Sequence, residues 1–128
     1  MAIDSRRVVE RYLHEVLSGA GSATADELIA SEEVRQRTAG FRRAFPDLEV
    51  QALLVVAAGE HVAAHFVARG THRGLFDGAP PTGRHWEACG TAIYRVIDGR
   101  IADAWVTWDR LSLLEQLDAV RRVETVSA

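Results

Sequence analysis

At Pro46 the hydrophobic repeat of this chain changes from a helical period to a period of two, and it keeps the shorter period as far as Trp108. Period two places alternate side chains on one face of an extended strand, so this stretch has to build a sheet. Leu48, Val50, Ala52, Leu54 and Val56 alternate with Glu49, Gln51, Leu53 and Val55, a strand buried on at least one face. After a Gly59-Glu60 turn, Val62, Ala64, Phe66 and Ala68 lie on one side and His61, Ala63, His65, Val67 and Arg69 on the other, one face apolar and the other largely wet. A third strand runs from Arg84 to Val96 and a fourth from Arg100 to Trp108, joined at Asp98-Gly99. Between the second and third, Gly74 to Gly83 holds three glycines and two prolines, too many for a regular element, and reads as a loop.

Such a sheet needs a cover, and the residues before Pro46 supply one. Val8, Val9, Tyr12, Leu13, Val16 and Leu17 fall along one face of a helix that starts at Asp4 and ends at Ser18-Gly19-Ala20-Gly21-Ser22. Thr24 and Glu27 have capping-box spacing, so a short helix begins near Ala25. Ser31 caps a third, with Val34, Thr38, Phe41 and Phe45 on one stripe. Past the sheet, Asp109 caps a closing helix carrying Leu111, Leu114, Leu117 and Val120. Helices first and an antiparallel meander after them make a single α+β domain over residues 1–128, with the helices on one face of a four-stranded antiparallel sheet.

The register of the last hairpin decides which side chains share a face. A two-residue Asp98-Gly99 turn pairs Ala92 with Trp105, and a type I turn with Gly99 in a left-handed bulge pairs Ala92 with Ala104. The second sorts polar from apolar more cleanly and is preferred. It puts Ala92, Tyr94 and Val96 with Ala102, Ala104, Val106 and Trp108.

Several function classes are set aside by composition. A formal charge of −3 with no long basic block gives no electrostatic footprint for nucleic acid. The best apolar run, Val50 to Ala58, is far short of a membrane helix, and the first residues lack the apolar core of a signal peptide. Cys89 is the only cysteine, so there is no internal disulfide, and a reducing, cytoplasmic location is expected. No two of the five histidines have metal-ligand spacing with a carboxylate on the same face. No glycine-rich phosphate loop leads into a helix, and neither metal nor cofactor is expected.

Five ordered motifs carry a resemblance. They are Ala44-Phe45-Pro46-Asp47-Leu48, Gly70-Thr71-His72-Arg73-Gly74, Gly78-Ala79-Pro80-Pro81-Thr82-Gly83, Arg95-Val96-Ile97-Asp98-Gly99-Arg100-Ile101, and Trp105 through Trp108-Asp109 to Leu113-Leu114-Glu115-Gln116-Leu117. With them the chain resembles the SnoaL-like polyketide cyclase, or ester cyclase, family of the nuclear transport factor 2-like superfamily. The resemblance implies a cone-shaped fold whose curved sheet and helices enclose an apolar cavity, often in a homodimer. It also implies closure of a polyketide ester ring by an intramolecular aldol reaction, an isomerase- or lyase-type step of secondary metabolism, without cofactor or metal; some relatives are implicated in hydroxylation. Counted from Asp98-Gly99, the cyclases' acid/base aspartate falls on Val106 and a nearby pocket histidine on Ala92. The stretch from Ile29 to Phe41 is shorter than in relatives.

Abstraction of a proton beside a carbonyl needs a base within reach and a donor for the enolate oxygen. The titratable groups expected on the apolar side are His72 at the rim, Tyr94 on the third strand and Asp109 at the sheet's edge. His72 is the candidate base, Asp109 its orienter or an alternative base, and Tyr94 the oxyanion donor. Each has a plainer role available: a rim histidine bonded to loop carbonyls, a helix cap, a tethered core tyrosine. Phe41, Phe45, Phe66, Trp86, Val106 and Trp108 are candidate walls for a hydrophobic, aromatic or polyketide-like ligand. Three readings stand at this point: a cofactor-independent cyclase-type enzyme, with at least two of the three groups converging on one cavity; a binding or scaffold module that has lost the acid/base pair at Val106 and Ala92; and a relative that hydrates or rearranges an epoxide, which needs paired carboxylates around a water where this face offers Asp109, joined by Asp103 only in the other hairpin register.

Overall fold

The computed structural model describes residues 4–19 and 22–120. Helix α1 covers Ser5–Arg11, capped by Asp4, whose carboxylate accepts from the N–H groups of Arg6 and Arg7. It runs on as a π-helical segment, Tyr12–Leu17. Helix α2 is Ser22–Leu28 and α3 is Glu32–Ala44, capped by the Ser31 hydroxyl. Strands β1 (Glu49–Ala58), β2 (His61–Thr71), β3 (His85–Ile97) and β4 (Arg100–Trp108) form one antiparallel sheet in the order β1-β2-β3-β4, and α4 (Arg110–Gln116) closes the described chain.

The helices lie on one face of that sheet. Val9, Leu13, Ile29 and Phe45 from the helical layer are essentially inaccessible, as are Val62, Ala64, Ala92 and Ile101 from the sheet. β3 is the clearest case: Trp86, Ala88, Ala92, Tyr94 and Val96 are buried while His85, Glu87, Cys89, Thr91 and Ile93 are exposed. Hence the even-numbered side chains of β2 and β3 point into the core, as the alternation predicts.

Four local expectations need correction. The Asp98-Gly99 turn has two residues, both in the left-handed region (φ 51° and 76°), which is the twist a tight hairpin needs. Ile97 pairs with Arg100 and Val96 with Ile101, then Arg95 pairs with Asp103, leaving Ala102 as an extra residue. Ala92 therefore faces Val106 rather than Ala104 or Trp105. The bulge lies in β4 instead of at Gly99, yet one extra residue restores the parity expected beyond it; only Ile101 replaces Ala102 in the core.

β1 has a similar bulge at Leu53, after which Val55 turns inward while Leu54 and Val56 are more than half exposed. Helix α2 starts at Ser22, so Thr24 lies inside it; the side chain of Thr24 is outside the described residues. In α4 the buried pair is Leu113 and Leu117, spaced i to i+4. Leu111 is exposed, and Val120 lies beyond the helix end.

Candidate functional site

Between the helices and the inner face of the sheet is a cavity of about 60 Å³. Tyr12, Leu13 and Leu17 reach it from the π-helical segment, and Val34, Arg37, Thr38 and Phe41 from α3. Leu48 and Val50, Phe66 and Ala68, Trp86 and Tyr94, and Ala104, Val106 and Trp108 reach it from the successive strands. A continuous α-helix would place fewer residues in each turn over residues 12–17; the wider π turn brings Tyr12, Leu13 and Leu17 onto the same wall. Val106 points inward on β4 yet keeps 38% of its surface exposed, and Arg37 is also partly exposed, so the mouth lies between α3 and β4.

Among the described residues the wall carries three hydroxyls, one charge and the Trp86 indole N–H, which is buried without a hydrogen-bond partner. Thr38 donates to the Val34 carbonyl (2.8 Å) and accepts from the Tyr12 hydroxyl (2.8 Å), so both of these are satisfied. Tyr94 is 2% exposed, packs edge-on against Tyr12 with ring centroids 5.6 Å apart, and has no hydrogen-bond partner among the described residues. Burial, reinforced by Tyr12 and only partly opposed by Arg37, pushes the Tyr94 phenol far above its usual range. At neutral pH it is a donor and not a base. Burial likewise raises Tyr12, against the Thr38 hydrogen bond and Arg37.

Of the expected wall residues, Phe41, Phe66, Trp86, Val106 and Trp108 line the cavity. Phe45 does not: it is fully buried in an aromatic cluster with Phe41, Phe76 and Trp86. Of the three expected acid/base groups, only Tyr94 is on the wall. His72 is fully buried just past the end of β2, its ring 6.0 Å from that of Phe45. Its Nδ1 accepts from the Thr82 N–H (3.2 Å) and faces the Thr82 hydroxyl (3.0 Å), which puts the ring proton on Nε2, where it has no partner. Its backbone N–H donates to the Arg84 carbonyl and its carbonyl accepts from the Gly83 N–H. His72 thus pins the base of the glycine-rich loop. Asp109 is exposed and caps α4, accepting from the Ser112 N–H (3.1 Å). The convergence of His72, Asp109 and Tyr94 on one cavity is not what the fold produces.

Ala92 and Val106, where the family resemblance leads one to expect a histidine and an aspartate, face each other as a cross-strand pair on the inner side of the sheet. Neither carries a titratable group. Among the described residues, no group of three or more His, Cys, Asp or Glu side chains could hold a metal ion.

Tyr12, Arg37 and Thr38 are polar wall residues outside the candidate site residues, although the sequence pattern puts Tyr12 and Thr38 on apolar helix faces. Arg37 lies three residues after Val34 and four before Phe41, the spacing that shares a helix face, so its position was available from the pattern. A second polar arrangement was also missed. Thr71 donates from its N–H (2.7 Å) and its hydroxyl (2.6 Å) to the two Asp47 oxygens, and its hydroxyl lies 2.8 Å from His85 Nδ1. Partial desolvation raises the Asp47 carboxyl, but the Thr71 hydrogen bonds and nearby His85 outweigh it and hold the group below its usual range. This stitch ties the α3–β1 corner to the end of β2, and so joins the Phe-Pro-Asp and Gly-Thr-His motifs in space.

Comparison with known proteins places this architecture. IdmH from Streptomyces antibioticus, described as a candidate polyketide cyclase, is 27% identical with a TM-score of 0.74, over 91% of this chain and 99% of that one. AclR from Streptomyces galilaeus, described as a candidate hydroxylase, is 27% identical with a TM-score of 0.62; 76% of this chain aligns, spanning 62% of AclR's length. A candidate SnoaL-like polyketide cyclase from Jannaschia sp. CCS1 shares the fold at a TM-score of 0.80 and 20% identity, over 91% of this chain and 93% of that one. No curated protein matches the chain. The model of the SnoaL-like polyketide cyclase family matches residues 5–117, nearly the whole length, and the chain belongs to that family.

Proposed function

We propose that the cavity between α3 and the sheet binds a hydrophobic carbonyl compound, with the Tyr94 hydroxyl donating to its oxygen. The observation that carries this reading is the free Tyr94 hydroxyl in a wall whose other hydroxyls are already paired. A hydrogen bond from this hydroxyl to a ligand oxygen contributes about 1 kcal/mol net. The aromatic rings of Phe41, Phe66, Trp86 and Trp108 supply the apolar contact. The cavity of about 60 Å³ suits a small ligand as it stands, and a polycyclic one would need the mouth at Val106 to widen.

In the enzymatic form of this reading the reaction is a cofactor-independent ring closure of the cyclase type. An enol carbon attacks a carbonyl carbon, the carbonyl π pair moves onto the oxygen held by Tyr94, and the proton released by the enol neutralises that alkoxide. Tyr94 stabilises the developing charge; the wall contributes no base of its own. The facing pair Ala92 and Val106 favours a second reading, a binding protein without turnover. Tyr94→Phe separates the two. It should weaken binding of an aryl β-ketoester about 5- to 15-fold, the value of one hydrogen bond, while leaving the affinity for the matching hydrocarbon unchanged. In the enzyme, cyclisation falls with it; in a binding protein there is none to lose. Equal affinity of the variant and the parent for the ketoester would remove Tyr94 from the site.

The homodimer belongs to the same proposal. On the outer face of the sheet Val56, Ala63, Ile93 and Trp105 form a row across all four strands, with Val56 and Trp105 more than half exposed. Ion pairs flank it on both sides: Arg95 with Asp103, and Arg69 with Glu49 and Glu87. An apolar band bordered by both signs of charge is self-complementary under a two-fold axis, so its occupant is a second copy of this chain. Trp105→Glu should shift the sedimentation mass from dimer to monomer with the fold intact. A monomeric parent protein would end this part of the proposal. With Cys89 unpaired, the reading places the protein in a reducing, cytoplasmic compartment. No helix among the described residues is long and apolar enough to cross a membrane.

A further inference from the structure

Among the described residues, Arg37 is the only charged side chain on the cavity wall. Two other arginines of α3 are committed to the scaffold: Arg35 donates to the Ile29 carbonyl (3.0 and 2.7 Å) and Arg42 to that of Leu17 (2.6 Å). Arg37 instead pairs with Glu33, one turn earlier on the same helix, at 3.1 Å. The Glu33 side chain is 83% exposed. A pair of this kind is close to neutral in water and is readily exchanged. The Arg37 charge also draws the Tyr12 and Tyr94 phenols downward against their burial, and all three residues line the same cavity. No acidic side chain among the described residues shares the wall, so a cationic ligand would meet a like charge there.

We infer that the ligand is an amphipathic carboxylate, its apolar body in the aromatic cavity and its carboxylate at the mouth on the Arg37 guanidinium, which it takes over from Glu33. The inference rests on the cavity being a small-molecule site and adds the ligand's charge class. The planar fork of an arginine matches the two oxygens of a carboxylate, and the apolar surround strengthens the pair relative to open water. Glu33 then acts as a stand-in for the ligand in the empty protein, holding the fork until it is displaced.

The test compares 3-phenylpropanoate with its methyl ester and with 3-phenylpropan-1-ol, three ligands with one apolar body and different heads, by calorimetric titration at neutral pH. The parent protein should bind the carboxylate about tenfold more tightly than the ester or the alcohol, with the preference shrinking as salt is raised. Arg37→Gln should erase the preference while leaving ester and alcohol affinity in place, and Arg37→Lys should keep part of it. Glu33→Gln, which removes the competitor, should strengthen carboxylate binding alone; a merely structural Arg37 would give no such gain. Equal binding of acid and ester by the parent, or an unchanged preference in Arg37→Gln, overturns the charge assignment and leaves the Tyr94 reading standing. Failure of all three ligands to bind overturns both.

Discussion

Replacing Gly90 by alanine should destabilise the protein by about 1–3 kcal/mol and close the cavity at once. A Cβ at Gly90 would lie 2.6 Å from the Trp108 Cβ and 2.7 Å from the Phe66 ring, distances that real carbon atoms do not share. Phe66, Gly90 and Trp108 are paired in one row across β2, β3 and β4, and the missing side chain in the middle lets both aromatic rings settle over the backbone. Both also line the cavity, so neither can retreat without changing its shape. The expected result is a melting temperature lower by about 4–12 °C, with a loss of ligand affinity measured well below the transition, where the protein is still folded. Gly59→Ala is the control. Gly59 has a positive φ of 60° but nothing within 4 Å of the added carbon, so it should cost backbone strain alone and leave affinity untouched. A Gly90→Ala protein that melted and bound ligand like the parent would mean that the floor of the cavity is softer than this packing implies.

Gly90 also shows where the sequence was legible and where it was not. The parity of Val62, Phe66, Tyr94 and Trp108 was readable because one face of a half-buried sheet imposes a strict alternation, and each of these residues does face inward. The bulges at Leu53 and Ala102 were not readable, since each adds one residue without any residue type that demands it. The bulge in β4 happened to preserve the expected face, whereas the one in β1 turned Leu54 and Val56 outward.

The site was harder than the fold for a related reason. His72 continues the inward alternation of β2, but one residue past the strand its ring is taken up by Thr82, ten residues later, a contact that no local pattern announces. Asp109 was ambiguous between rim acid and helix cap, and the short-range bond to Ser112 fixes the cap. Arg37 was overlooked because a charged residue on an apolar stripe is ordinarily assigned to solvent. A long side chain can lay its stem along the wall and keep its head at the mouth.

The largest loss of stability should come from Phe45→Ala, about 3–5 kcal/mol, because its ring is fully buried and joins elements that nothing else joins as closely. Phe45 caps the C-terminal end of α3, where its N–H still bonds to the Phe41 carbonyl, and it touches the rings of Phe41, Phe76, Trp86 and His72. Those four lie on the helix, the loop, β3 and the end of β2, so a cavity at Phe45 loosens all of them together. With a total folding free energy of about 5–15 kcal/mol, the loss should lower the urea midpoint by about 2 M. Phe76→Ala, at a half-buried ring on the loop itself, removes part of the same cluster and should cost about 1–2 kcal/mol. Phe45 lies off the cavity wall, so affinity in the folded fraction should change less than stability does, the opposite of Tyr94→Phe. Equal midpoints for the Phe45 and Phe76 variants would show that the cluster is held by the loop rather than by the end of α3, and the account of His72 as a loop anchor set behind Phe45 would fall with it.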